Sequence, residues 1–266
     1  MIINKNMIIN KIGKITIDTA FHLGRCCLMI KRMFFWLFNS KLEKKEVMKQ
    51  TVRIGIESIG VVILTSLFTG MVLALQSGYT SKNLFNEPLY VGTVVGFSLV
   101  KELAPVLTAI VVSGRAGSSV TAEIGTMVIT EQVDALYTLG TNPSTYLLIP
   151  RYIAFLIALP ILTLFANVVG ILGGFLVSYI KLGISSTVYF DDIFQYMEVK
   201  NFFHGFIKTF FFAFAIATIS CYKGFYATGG AEGVGRSTTD SVVISMIMIL
   251  AIDYFVSSLL VIIGIT

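Results

Sequence analysis

Residues 113–151 read SGRAGSSVTAEIGTMVITEQVDALYTLGTNPSTYLLIPR, between two long apolar runs. The stretch carries Arg115, Glu123, Glu131, Asp134 and Arg151. Charge at that density does not sit in a bilayer core, so the flanking runs are separate membrane spans and this stretch is a connection between them. Within it, Thr130 is expected to cap a helix over 131–139, with Glu131 and Asp134 in a first turn that the helix macrodipole favours. Gly140 supplies a C-terminal stop and Asn142-Pro143 a turn. At ~1.5 Å per residue such a helix falls well short of the ~30 Å hydrocarbon core. Val133, Leu136 and Tyr137 fall on one face, while Glu131, Gln132 and Asp134 point elsewhere. Spacing leaves two readings open: a plain connector, or a helix that touches something outside the bilayer.

The rest of the chain agrees with membrane spans. Of 266 residues, 55% are hydrophobic and 13% charged, and the mean hydropathy is +0.83. Soluble domains are about a quarter charged, so composition excludes a soluble domain. The fold class expected is an all-α integral membrane protein: an N-terminal interfacial helix, five transmembrane helices, and the short cytoplasmic helix between spans two and three. A chain this short is expected to work as a homo-oligomer. Cys26, Cys27 and Cys221 have no disulfide or zinc spacing and read as packing residues; with only His22 and His204 besides, no metal cluster is expected. No cofactor is expected.

The net charge of +5 is a topology signal. Lys5, Lys11, Lys14, Arg25, Lys31, Arg32, Lys41, Lys44, Lys45, Lys49 and Arg53 are more than half of the 20 Lys and Arg. That basic region stays cytoplasmic. Neither a secretory signal peptide nor an Arg/Ser-rich transit peptide is evident.

Residues 12–40 alternate basic and apolar patches and are too broken to span. They suit an amphipathic helix in the headgroup plane with Trp36 at the interface, the other reading being a failed span. Residues 41–50 read as a solvated charged segment, so 1–50 form an interfacial segment and 51–266 the membrane domain. Spans are expected at about 51–79, 89–114, 152–180, 202–222 and from 241 onward, with helix running past 114 toward Glu123. An odd number of spans places 80–90 and 181–201 outside, and 115–151 and 223–240 inside. Gly92 with Gly96, and Gly170 with Gly174, have the small-xxx-small spacing of close helix packing.

Charges fall inside spans at Glu57, Lys101, Glu102, Lys208 and Asp253. Such residues are costly unless paired or wet. Glu57 sits near the cytoplasmic end of span one. By helix rise, Lys208, Lys101 and Asp253 lie roughly 10, 15 and 20 Å below the outer surface. Lys101, Glu102, Lys208 and Asp253 are expected to form a buried polar cluster. It either fixes span packing or lines a cavity.

Gly230, Gly235, Arg236 and Ser237 come close to the phosphate-binding G-x-x-x-x-G-K-[ST] pattern, with Arg236 in place of Lys. That loop needs a strand before it, and here a span precedes, so a tight turn is expected instead.

Three segments carry a family resemblance: AGSSVTAEIGTMVITEQVDALYTLGTNPSTYLLIPR (116–151), CYKGFYATGGAEGVGRSTTDSVV (221–243) and KELAPVLTAIVVSGR (101–115). They resemble the signature of MlaE-type permeases, the membrane subunits of ABC transporters that move lipids between membranes. The five-span layout fits from about residue 12 to the end. The resemblance implies that Glu131, Gln132, Asp134, Ala135 and Leu136 dock in a groove of a cytoplasmic ABC ATPase. It makes Gly230, Glu232, Gly233, Gly235 and Arg236 part of a second cytoplasmic loop that also faces the ATPase. It implies a homodimer whose first and fifth spans face the dimer axis, two ATPase copies, and an outer MCE-domain lipid-binding partner. Leu73, Gln76 and Tyr79, near the end of span one, are then candidate lining for a phospholipid. The chain itself would not be an enzyme; ATP hydrolysis belongs to the partner. Other classes to weigh are an intramembrane lipid-modifying enzyme and a structural membrane subunit. The compartment implied is the bacterial inner membrane or, alternatively, the plastid inner envelope; the Asn/Lys/Ile/Phe-rich composition suits either.

Overall fold

Every regular element among the described residues is helical. The computed structural model describes residues 2–39, 43–85 and 90–264. The expected start of span two near Leu89, and Lys41 of the charged segment, lie outside the described residues.

Among the described residues, five helical stretches are long and apolar enough to cross a membrane: Lys44–Asn83, Val91–Ile129, Ser144–Leu182, Val199–Phe225 and Gly230–Ile263. Helix α1 (Ile2–Asn39) is not among them. Its Met29 and Met33 are buried, with Cys26, Trp36 and Leu37 packed beside them, whereas Ile17, Phe21, Leu28 and Phe35 are exposed. A helix with one stripe on the protein and another apolar stripe open suits the headgroup plane.

Helix α2 (Lys44–Phe85) forms span one. It begins inside the charged 41–50 segment, so residues 44–50 are its first turns, and Val47 and Gln50 are buried. Span two is α3 (Val91–Ser98), α4 (Ala104–Val112) and α5 (Ser118–Ile129), joined through π-helical turns at Leu99–Leu103 and Ser113–Gly117. Those turns carry Lys101, Glu102 and Arg115. Such turns occur often at functional sites.

Spans one and three touch backbone to backbone. Span three is a π-helical turn (Ser144–Leu148) followed by α7 (Ile149–Leu182). A Cβ on Gly70 would lie 1.9 Å from the Gly170 carbonyl oxygen, and one on Gly173 2.5 Å from that of Leu67. Gly174 admits the hydroxyl of Tyr189. The Gly170/Gly174 pair thus packs against span one, at the Ser66 and Gly70 carbonyl oxygens, and more closely against Leu99 and Val95 of span two.

The outer 181–201 connection is not a plain loop: it holds α8 (Ser186–Tyr196), capped by Ser185, whose Oγ accepts from Val188 N. Tyr189 and Ile193 are buried and Met197 half-buried, a four-residue spacing that marks the helix. Gly92 packs here, since its Cβ would sit 2.3 Å from the Tyr189 carbonyl oxygen, and Gly96 faces Ile193 and Met197. Burial pushes the Tyr189 hydroxyl pKa up; burial and then the neighbouring Asp191 push the Asp192 carboxyl up.

Span four is α9 (Val199–Phe225) and span five α10 (Gly230–Ile263). The expected inner loop 223–240 shrinks to a short turn, because α10 starts eleven residues before 241. Gly230, Glu232, Gly233, Gly235 and Arg236 thus belong to the first turns of a helix rather than to a loop. The chain doubles back through Gly229 and Gly230, both at positive φ (94° and 66°). A Cβ at Gly233 would meet the Thr228 carbonyl oxygen at 1.8 Å. Glycine thus allows the helix to begin at once, and a phosphate-binding loop after a strand is not what these residues build.

Candidate functional site

The inner charged stretch resolves into a hinge, a helix and a stop. Helix α6 (Gln132–Thr138) follows α5 across Glu131, a non-glycine residue at φ 57°. Thr130 does not cap α6: its Oγ1 donates to the Thr126 carbonyl oxygen and closes α5. The expected start at Glu131 moves one residue on, because the chain reverses there through a left-handed conformation. Gly140, at φ 72°, donates to the Tyr137 oxygen while Thr141 donates to that of Leu136, the paired bonds of a Schellman stop. Asn142 Oδ1 then accepts from Ser144 N and Pro143 opens the next helix.

On α6 only Val133 is buried; Leu136 is half-buried and Tyr137 is exposed, so the expected apolar face narrows to two residues. Glu131, Gln132, Asp134 and Ala135 are exposed beside Tyr137 and Leu139, giving the inner face a projecting tip. The α9–α10 turn lies next to α5: a Cβ on Gly125 would meet Ala227 at 3.2 Å and Val234 at 3.4 Å. Packing thereby joins two of the three segments that carry the family resemblance. Gly230, Glu232, Gly235 and Arg236 are exposed, and Gly233 is half-buried.

Arg151 is not a loop residue. It is 2% exposed within α7, because helix already begins at Pro143 and Ser144. Its Nη1 donates to the Leu147 carbonyl oxygen at 2.7 Å, and its Nη2 lies 3.1 Å from Glu123 Oε2. The same carboxylate oxygen accepts from Arg53 Nη1 at 3.1 Å. Arg115 Nη1 donates to Glu57 Oε2 at 3.4 Å. Sequence reading placed these charges individually but not together. The signal it had was Arg53 and Glu57 one turn apart, opposite in sign to Glu123 and Arg115.

Deeper in the membrane, Lys208 is fully buried and its Nζ pairs with Glu102 Oε2 and with Asp253 Oδ1, the latter at 3.0 Å. Spans two, four and five meet at this one ammonium. Among the described residues Lys101 makes no ion pair in this group, and its Nζ lies 4.7 Å from the Phe97 ring centroid. His204, fully buried one turn before Lys208 on α9, was missed although it falls four residues away. A Cβ on Gly205 would lie 2.0 Å from the Val100 carbonyl oxygen, so α9 presses against span two at its π-helical turn. Of the candidate lining residues, Gln76 and Tyr79 are exposed, and Leu73 is half-buried against the outer core.

The family described as Permease MlaE matches residues 47–259. A probable ABC transporter permease of Rickettsia typhi is 45% identical over 95% of this chain and 97% of its own length. One of Synechocystis is 38% identical over 86% of this chain and 87% of its own. The chloroplastic protein named trigalactosyldiacylglycerol 1 of Arabidopsis thaliana is 39% identical over 84% of this chain and 63% of its own length. With five spans and this breadth of match, the chain belongs to the MlaE permease family: it is a multi-pass membrane protein, the permease subunit of an ABC transporter, a class that works with a partner ATPase.

Proposed function

We propose that this permease moves a phospholipid or a related two-tailed lipid between membranes, driven by a separate cytoplasmic ATPase. The observation that carries the lipid reading is the name of the Arabidopsis relative, that of a diacylglycerol lipid. Apolar faces left open on the two outermost spans support it: Leu64, Phe68 and Val72 on α2, and Ile247, Leu250, Tyr254 and Phe255 on α10 are exposed. In a homodimer these faces would meet across a cavity, with Gln76 and Tyr79 at its wall and Leu73 behind them. An apolar wall with few polar groups suits acyl tails.

In this reading residues 51–266 form the permease domain and 1–50 its interfacial segment. Glu131, Gln132, Asp134, Ala135 and Leu136 dock on the ATPase, and the exposed start of α10, with Glu232 and Arg236, lies beside that contact. ATPase closure shifts the permease between two packings, to the extent that the ATPase binds one better than the other. An MCE-domain protein on the outer side receives or delivers the lipid. The Glu102–Lys208–Asp253 group is the polar floor below the cavity.

Co-purification tests the reading. An ATPase recovered with the parent chain and lost with Asp134→Arg supports it, as does phospholipid retained by the purified complex. A purified chain that turned over lipid alone, without nucleotide, would overturn it.

A further inference from the structure

Helix α1 carries cations that no carboxylate answers. Residues 19–42 hold Arg25, Lys31, Arg32 and Lys41 and no acidic residue. Among the described residues Arg25, Lys31 and Arg32 make no ion pair, whereas Arg53, Arg115 and Arg151 each meet a carboxylate. Lys31 and Arg32 are exposed. Arg25, also exposed, is held in place: its Cζ lies 4.1 Å from the Phe21 ring centroid and 5.1 Å from that of Tyr226, the residue that ends α9. One turn back on each helix, His22 Nδ1 and the Tyr222 hydroxyl share a hydrogen bond of 2.7 Å. The Tyr222 and Tyr226 rings lie 4.8 Å apart. These contacts fasten α1 to the inner end of span four at the level of Arg25.

We propose that the notch between α1 and the end of α9 binds the phosphate of an anionic phospholipid of the inner leaflet, held as a resident lipid and not as cargo. The rings attract the cation through its charge but accept none of the in-plane hydrogen bonds of the guanidinium. Among the described residues its N–H groups meet no other acceptor. A planar fork left open in this way matches two phosphate oxygens. Tyr226, exposed where span four ends, marks the headgroup level at which tyrosine rings gather. Beside Arg25 on α1, Phe21, Leu28 and Phe35 recur every seven residues, each more than half exposed. That strip gives acyl chains an apolar track next to the cation, which a free phosphate would leave uncovered. Lys31 and Arg32, in a stretch without acids, favour an anionic lipid over a zwitterionic one. The site stands independently of the lipid-transport reading.

The test titrates the full-length chain with its ATPase, in detergent, with phosphatidylglycerol and with phosphatidylcholine, and counts bound lipid by native mass spectrometry. The parent is expected to show a phosphatidylglycerol-binding step that phosphatidylcholine does not match. Arg25→Gln should weaken that step at least about tenfold, through the loss of charge-assisted hydrogen bonds. Tyr226→Ala, which removes no charge, should weaken it about two- to fivefold. Lys31→Gln, roughly 120° around α1 from Arg25, should leave it nearly unchanged. Equal weakening by Arg25→Gln and Lys31→Gln, with none from Tyr226→Ala, would mean a plain charged surface and overturn the site. Equal binding of phosphatidylcholine by the parent would overturn it too, and that comparison needs no variant to fold. Displacement of phosphatidylglycerol by an equal concentration of inorganic phosphate would make this a free-anion site and overturn the lipid assignment. Transport plays no part in the readout, so failure here and failure of the lipid-transport reading are separate results.

Discussion

Lys208 Nζ lies 3.0 Å from Asp253 Oδ1, and that ion pair ties the fourth span to the fifth inside the membrane. The same ammonium holds Glu102 of span two. Removing it leaves two carboxylates together without a cation. Lys208→Ala is therefore expected to destabilise the fold by about 3–5 kcal/mol, read as a lower unfolding midpoint in detergent. Replacing all three charges together, as Lys208→Met with Glu102→Gln and Asp253→Asn, should recover most of that loss. If the triple variant is stable yet inactive, the cluster acts in transport as well as in packing.

The span pattern was legible because apolar length and the basic N-terminal region are one-dimensional signals. The buried pairing of Lys208 with Asp253 was legible in part, since helix rise puts both well inside the membrane. Depth carries no azimuth, and so it could not tell which of Lys101 and Glu102 would reach Lys208. Arg151 was misplaced for a related reason. An arginine between a proline and a span reads as a surface boundary until the helix start is known, and Asn142 sets that start nine residues earlier. Helix α8 was hidden by Asp191 and Asp192, which gave its segment the charge of a loop.

Gly70 and Gly60 lie on the same helix in opposite circumstances. Gly70→Ala would drive a methyl into the Gly170 carbonyl at 1.9 Å, while Gly60→Ala would enter open space. The first is expected to cost about 2–3 kcal/mol by overpacking two backbones. The second should gain up to about 1 kcal/mol from better helix propensity. Unfolding midpoints of the two purified variants check the contrast; equal midpoints would mean that spans one and three do not approach at Gly70.

Asp192, on the outer helix α8, gives a pH dependence. Burial, and then Asp191, raise its carboxyl pKa in the fold. Its contribution to α8 docking is therefore fully present below the unfolded carboxylate pKa of about 3.9 and is lost as pH rises through the higher folded value. At neutral pH the charged form opposes docking. Asp192→Asn should slow hydrogen exchange in α8 at pH 7, and the difference from the parent should vanish toward pH 4. A variant that exchanges faster at pH 7 would contradict this sign.

Glu131 separates the conformational role of the inner hinge from its chemical one. It holds φ 57°, a region that costs a residue with a Cβ about 1 kcal/mol, and it stands exposed at the start of α6. Glu131→Gly removes both the strain and the carboxylate. Hydrogen exchange in α6 is expected to slow by a factor of about five, the equivalent of that strain. ATPase recovery in co-purification should fall if the carboxylate contacts the partner. Gly140→Ala is the converse case: at φ 72° it adds about 1 kcal/mol of strain at the far end of α6 without touching a charge. It should speed exchange in α6 and weaken ATPase recovery only through helix fraying. If Glu131→Gly retains the ATPase fully while Gly140→Ala loses it, the partner reads the shape of α6 rather than the charge at its start.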